Sequence, residues 1–275
     1  MHLTWFILVG LLLCFVPNSS HSSAWVRDKG QGVVYYNTYL SEYSKFYQRN
    51  GNRKSQPAFY KVEFKPYIEY GLTDIYTIGF SPSLQAVGVD AGIAADQNFA
   101  LQYAEFYFKN NLYYSGNFAA SLENVLEVPG FYSTRETPTF GKKDYFLFSK
   151  VNGGYGYSIF DNLGGFFQVG AGIRNRFHDY FGSDSGSQFK YDLTVGLKYA
   201  SNEFFIRYDS TSSLTGYKNQ FNLLDRFGYK LSKLEIAALR NYNPQTAFEM
   251  GYSFDFSGRS TGSGETVKIS IINKF

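Results

Sequence analysis

Apolar and polar residues alternate along this chain over stretches longer than most soluble strands. From Ala58 to Tyr70, one parity reads Tyr60, Val62, Phe64, Pro66, Ile68, Tyr70 and the other Phe59, Lys61, Glu63, Lys65, Tyr67, Glu69. A strand sends successive side chains to opposite faces. One face is therefore apolar with aromatics at both ends, and the other is charged. Soluble strands usually run about five or six residues. A tilted membrane crossing takes about 9–11, and this segment is long enough.

The pattern recurs. Phe167, Val169, Ala171 and Ile173 oppose Gln168, Gly170, Gly172 and Arg174. Phe189, Tyr191, Leu193, Val195, Leu197 and Tyr199 oppose Lys190, Asp192, Thr194, Gly196 and Lys198. Phe204, Ile206 and Tyr208 oppose Glu203, Phe205, Arg207 and Asp209; Phe248 to Phe256 opposes Glu249, Gly251, Ser253 and Asp255. In Phe118–Val128 the apolar parity opposes Ser121, Glu123 and Glu127, with Asn124 off pattern. Each segment is a weak signal, and together they are the signature of a transmembrane barrel.

Short turn-rich links (Gly71–Asp74, Asp161–Gly165, Ala200–Asn202) alternate with longer polar ones (Gln48–Pro57, Pro129–Lys143, His178–Ser187, Thr211–Asn219). Short periplasmic turns and longer outer loops have this asymmetry. The segments number about thirteen, and termini on one side require an even number. The expectation is an all-β, transmembrane, antiparallel up-and-down β-barrel of about twelve strands, bounded by ten and fourteen. The surplus segment falls between Phe221 and Tyr252, where Asp225 interrupts an apolar face.

Trp5–Val16 is an apolar core followed by Pro17–Ala24, which ends in small residues at Ser22 and Ala24. It is too short for a stable membrane helix and reads as a cleaved export signal, although Met1–Thr4 lacks Lys and Arg. The expected division is residues 1–24 as signal peptide and 25–275 as barrel. Cleavage removes Cys14, the only cysteine, so neither a disulfide nor a thiolate metal site is expected. Leu13 stands where a lipoprotein site needs a small residue.

Composition refines the picture only slightly. Aromatics make up 20% of residues, with 25 Tyr and 28 Phe, as interface girdles require. A mean hydropathy of −0.27 argues against a helical membrane protein. A net charge of +3 is too small to point to nucleic acid or other polyanions.

The last strand, Glu265–Phe275, ends on an aromatic residue, with Ile271, Ile269 and Val267 on its parity and Asn273 interrupting them. This resembles the C-terminal signal by which bacterial outer-membrane barrels are recognised for insertion, carried here by Phe275, Ile271 and Ile269. Three further segments, Ala24–Gly32, Glu69–Gly79 and Phe256–Gly262, resemble a family of small outer-membrane channels grouped with meta-pathway phenol-degradation proteins. The resemblance implies an outer-membrane location and a narrow uptake channel. It also implies partners in outer-membrane lipid, small solutes, periplasmic chaperones and the barrel-assembly machinery.

The candidate functional residues are the inward charges: Lys61, Glu63, Lys65, Glu69, Arg174, Lys190, Asp192, Lys198, Glu203, Arg207 and Asp209, with Arg176 near the rim. Such ladders orient charged or zwitterionic solutes in pores, or they pair off and fill a barrel too narrow to conduct. The first option makes the protein a passive channel. The second makes it a structural or adhesive surface barrel acting through its loops.

A lipid enzyme is a third reading, with His178 beside Asp179, Ser183 or Ser185, but no nucleophile motif accompanies them. No cofactor, catalytic residue or metal site is expected, since no Asp-x-Asp-x-Asp spacing occurs. Asn152–Gly156 lacks the Lys-Ser/Thr of a phosphate loop and reads as strand glycine. The Tyr35–Tyr39 and Tyr43–Tyr47 stretches read as girdle rather than as sugar platforms.

Overall fold

The computed structural model describes residues 24–89, 96–131, 144–160, 162–178, 186–214 and 229–275. Its strands are β1 (Gly32–Tyr47), β2 (Arg53–Gly71), β3 (Tyr76–Val89), β4 (Asp96–Ser115), β5 (Phe118–Pro129) and β6 (Asp144–Phe160). They continue with β7 (Leu163–His178), β8 (Ser187–Tyr199), β9 (Asn202–Ser213), β10 (Lys230–Asn241), β11 (Thr246–Arg259) and β12 (Thr261–Lys274). Every strand pairs antiparallel with its chain neighbours, and β12 closes on β1. The expected twelve-stranded barrel is the observed one. Among the described residues, the stretch Phe221–Tyr252 holds β10 and the start of β11; Asp225 lies outside the described residues.

Closure is made by β1 and β12 in register from Val33↔Lys274 to Tyr47↔Thr261, with a shift between Glu42 and Lys45. The Gly32 N–H donates to the Phe275 carbonyl at 2.7 Å, and the Phe275 N–H donates to the Gly32 carbonyl at 2.9 Å. The chain ends of β1 and β12 thus share one rim with the tight turns. Side chains hold those turns. Thr73 Oγ1 accepts from the Tyr76 N–H at 3.0 Å, and Asn243 Oδ1 accepts from the Thr246 N–H at 2.7 Å, as short polar residues do in turns. The opposite rim departs from expectation twice. β2 starts at Arg53, which shortens the first outer link, and β11 reaches β12 through Ser260 alone, at φ 53°.

The usual placement of residues is inverted. Val195, Ile206, Val151 and Ile236 are about half exposed on the outer face, whereas Ser81, Ser83, Ser121, Asn152 and Ser270 are completely buried. Backbone groups are satisfied between strands, so a closed barrel can present this apolar wall to lipid. Asn124 does lie on the outward face. Its Oδ1 accepts a 2.8 Å hydrogen bond from Ser149 Oγ on β6, its register partner.

One part of the lumen is apolar. Val33, Phe166, Phe205, Leu239, Ala247 and Ile272 form a buried cluster at the rim of the tight turns. The Phe166 ring fills the space that a Cβ on Gly196 would occupy.

Candidate functional site

The charged ladders expected from alternation lie inside the barrel. Most are paired. Lys61 Nζ lies 2.8 Å from Glu63 Oε2, and Lys65 Nζ lies 2.6 Å from Glu105 Oε2. Arg174 meets Glu127 at 2.6 Å, and Arg207 meets Glu235 at 3.2 Å. Lys198 approaches Glu203 at 3.8 Å, and Arg176 pairs with Asp144. Lys190 and Asp209 enter no ion pair among the described residues.

A continuous series of alternating charges crosses the lumen. Arg27 Nε is 3.0 Å from Glu69 Oε2, and the other Glu69 oxygen is 2.8 Å from Lys109 Nζ. Lys109 lies 3.7 Å from Glu123, which lies 3.6 Å from Lys150, and Lys150 reaches Asp192 at 3.1 Å. The series links the N-terminal segment to β2, β4, β5, β6 and β8. A tyrosine stack runs beside it, with ring centroids 5.6 Å apart for Tyr35 and Tyr67 and 4.9 Å for Tyr67 and Tyr107. Buried ion pairs balance desolvation against attraction, so losing one partner costs far more than the pair contributes.

Alternation could not reveal what precedes β1. Residues Ala24–Gln31 fold back across the rim of the tight turns. The Arg27 N–H donates to Thr77 Oγ1 at 2.8 Å, and the Gly30 N–H donates to the Gly71 carbonyl at 2.9 Å. Ala24 is buried, and the Trp25 ring fills the space over Gly154 on β6. The glycine run Asn152–Gly156 therefore has a local purpose, because a Cβ at position 154 would collide with that ring.

Other lumen residues were within reach of parity. Glu105, Lys109, Glu123 and Lys150 fall on the inward faces of β4, β5 and β6. The β4 pair is obscured in the sequence because Tyr103 and Tyr107 share its parity while Phe106 and Phe108 take the other, so aromatics stand on both faces. His178 closes β7 opposite Asp144, while Asp179, Ser183 and Ser185 lie outside the described residues. At the closing seam Ile271 and Phe275 face outward and are 49% and 65% exposed, with Ile269 on the same parity. Asn273, off the apolar pattern, stands between Val34 and Thr246.

The lumen contains cavities of about 290, 190 and 330 Å³. The first is lined by Arg27, Tyr67, Glu69, Lys109, Arg207 and Lys268, the second by Glu105, Phe146, Arg174 and Lys190, and the third by Phe148, Lys190, Asp209 and Lys233.

A closed barrel with a lipid-facing apolar wall and a charged interior defines a transmembrane β-barrel of the outer-membrane type. Among solved structures, an outer-membrane channel from Pseudomonas putida F1 superposes with a TM-score of 0.70 at 15% identity, over 94% of this chain and 100% of that one. The NanC porin matches with a TM-score of 0.52 at 7% identity, over 87% and 100%. The translocator domain of the autotransporter NalP from Neisseria meningitidis matches at 0.51 and 9% identity, over 90% of each. At these identities the likeness is one of fold. No family profile and no curated relative matches the sequence.

Proposed function

We propose that the barrel passes small solutes passively through its narrow charged lumen. The observation that carries this reading is that lumen charges line cavities without being fully paired. An interior built only for stability would neutralise or replace a charge withdrawn from bulk water. Lys190, Lys233 and Asp209 instead enter no ion pair among the described residues and border the 330 Å³ cavity. A solute-facing wall needs such groups. The P. putida channel and the NanC porin, both similar in fold, add support as proteins named for passage.

Residues 1–24 act as the export signal in this account, and Phe275, Ile271 and Ile269 present the insertion signal to the assembly machinery and its chaperones. No residue is catalytic. The paired ladders set the shape and field of the path, and the N-terminal segment narrows its mouth at the rim of the tight turns.

The test is single-channel recording from residues 25–275 refolded into a planar bilayer. Discrete current steps are expected, with ion preference shifted toward cations by Lys61→Glu or Arg207→Glu. Silence from a folded, inserted barrel would reject conduction in favour of a sealed structural barrel acting through its loops.

A further inference from the structure

Lys190 stands out among the inward cations expected from the sequence. Lys61, Lys65, Arg174, Lys198 and Arg207 each have a carboxylate partner within 4 Å. Lys190 has none among the described residues. Its Nζ lies instead over the Phe148 ring, 5.1 Å from the centroid. Its diagonal neighbour across the β7–β8 pairing is a second cation, Arg174, whose guanidinium stacks 3.6 Å from the Phe146 centroid. Glu105, Glu123 and Glu127 line the same small cavity, but each is already engaged. Lys65 holds Glu105 at 2.6 Å, Lys109 and Lys150 lie 3.7 and 3.6 Å from Glu123, and Arg174 holds Glu127 at 2.6 Å, so Lys190 is left without an ion pair among the described residues.

Lys190 also borders two cavities. The smaller has Val125, Phe146 and Phe148 in its wall, and the larger has Phe148 and Leu231. The larger holds three lysines, Lys150, Lys190 and Lys233, against Asp192 and Asp209, and Lys150 already engages Asp192 at 3.1 Å. Two ammonium groups thus face one free carboxylate across an apolar floor. A lysine desolvated against aromatic carbon is stabilised modestly by the ring and strongly by an arriving anion through charge-assisted hydrogen bonds.

We propose that this chamber is a binding site for a small monocarboxylate with an apolar body. The carboxylate bridges Lys190 and Lys233, and the body lies against Phe148 and Leu231. A cation is disfavoured by the net positive lining, and an uncharged solute gives up the ionic contacts. The proposal rests on the reading of the lumen as a solute path and deepens it by naming a solute class.

The test is calorimetric titration of the refolded barrel in detergent with benzoate, benzylamine, benzyl alcohol and phenylalanine, independent of any current. Benzoate is expected to bind best, with affinity reduced at least tenfold in Lys190→Gln and retained in Lys190→Arg. That rescue separates a charge requirement from a folding defect. No benzoate binding, equal binding by Lys190→Gln, or tighter binding of phenylalanine would each overturn the proposal. Binding by a barrel that is silent in bilayers would sink the channel reading alone. Conductance without benzoate binding would sink this inference alone.

Discussion

The ring of Phe275 occupies the space where a Cβ on Gly32 would stand, directly over the hydrogen-bonded pair that closes the barrel. The last residue and the first residue of β1 are therefore complementary in shape as well as in backbone pairing. The ring packs into the final seam, and glycine at position 32 makes room for it.

Replacing that glycine should disturb closure without touching the terminal residue. Gly32→Val is expected to destabilise the barrel by about 1–3 kcal/mol, the usual cost of forcing extra atoms into a packed site. Phe275→Ala in the same background should lose little more, since the ring has already been displaced. Urea unfolding of refolded barrels measures both. An undisturbed Gly32→Val barrel would mean that the ring has other places to go.

The lipid face supports a prediction of opposite character. Val195 is 47% exposed and stands between Phe167 on β7 and Ile206 on β9. Val195→Arg should cost roughly 2–4 kcal/mol, the range for a cation near the bilayer midplane of a barrel. The neighbouring inward position is the control: Thr194→Ser should change stability by less than about 1 kcal/mol. Vesicle-based unfolding distinguishes them, and equal stabilities of the Arg variant and the parent would place Val195 outside the lipid band.

Which side each residue faces was legible in the sequence because a strand has only two faces. Lys61, Glu63 and Arg207 could be assigned to the interior, and Val195 and Phe167 to the exterior, by parity alone. What parity could not supply was pairing between strands. That Glu69 meets Lys109, forty residues on, depends on the registers of β2 with β3 and of β3 with β4, which set Glu69 opposite Gly79 and Lys109 opposite Thr77. The N-terminal segment was hidden for another reason. Ala24–Gln31 is not a strand and carries no periodicity, and the traces of its docking site are glycines at positions 71 and 154, where a Cβ would meet the Asp28 carbonyl and the Trp25 ring.

That docking makes Glu69 the anchor of the N-terminal segment. Its carboxylate holds Arg27 on one oxygen and Lys109 on the other, and Tyr67 donates to it at 2.6 Å. Glu69→Gln leaves two cations facing a neutral amide, which should cost about 3–5 kcal/mol and loosen the segment. Trp25 reports this directly, being the sole tryptophan of residues 25–275. Its emission should shift to the red in Glu69→Gln and in Gly154→Val, and channel conductance should rise with it. Unshifted emission in both variants would show the segment to be held by contacts other than these.

Asn124 and Ser149 test how the barrel tolerates polar atoms in lipid. They are register partners on the outward face, joined at 2.8 Å, with Leu126 and Val151 exposed nearby. Neither group has water to turn to, so their worth lies in satisfying each other. Ser149→Ala should cost about 1 kcal/mol or more by stranding the Asn124 carbonyl, whereas removing both polar groups should be close to neutral. In the double variant Asn124→Leu with Ser149→Ala, the lost stability should therefore return, giving non-additivity of about 0.5–2 kcal/mol in a mutant cycle. Strict additivity in vesicle unfolding would mean that the two side chains act independently. Asn124 would then be a polar intrusion that lipid headgroups or water already accommodate.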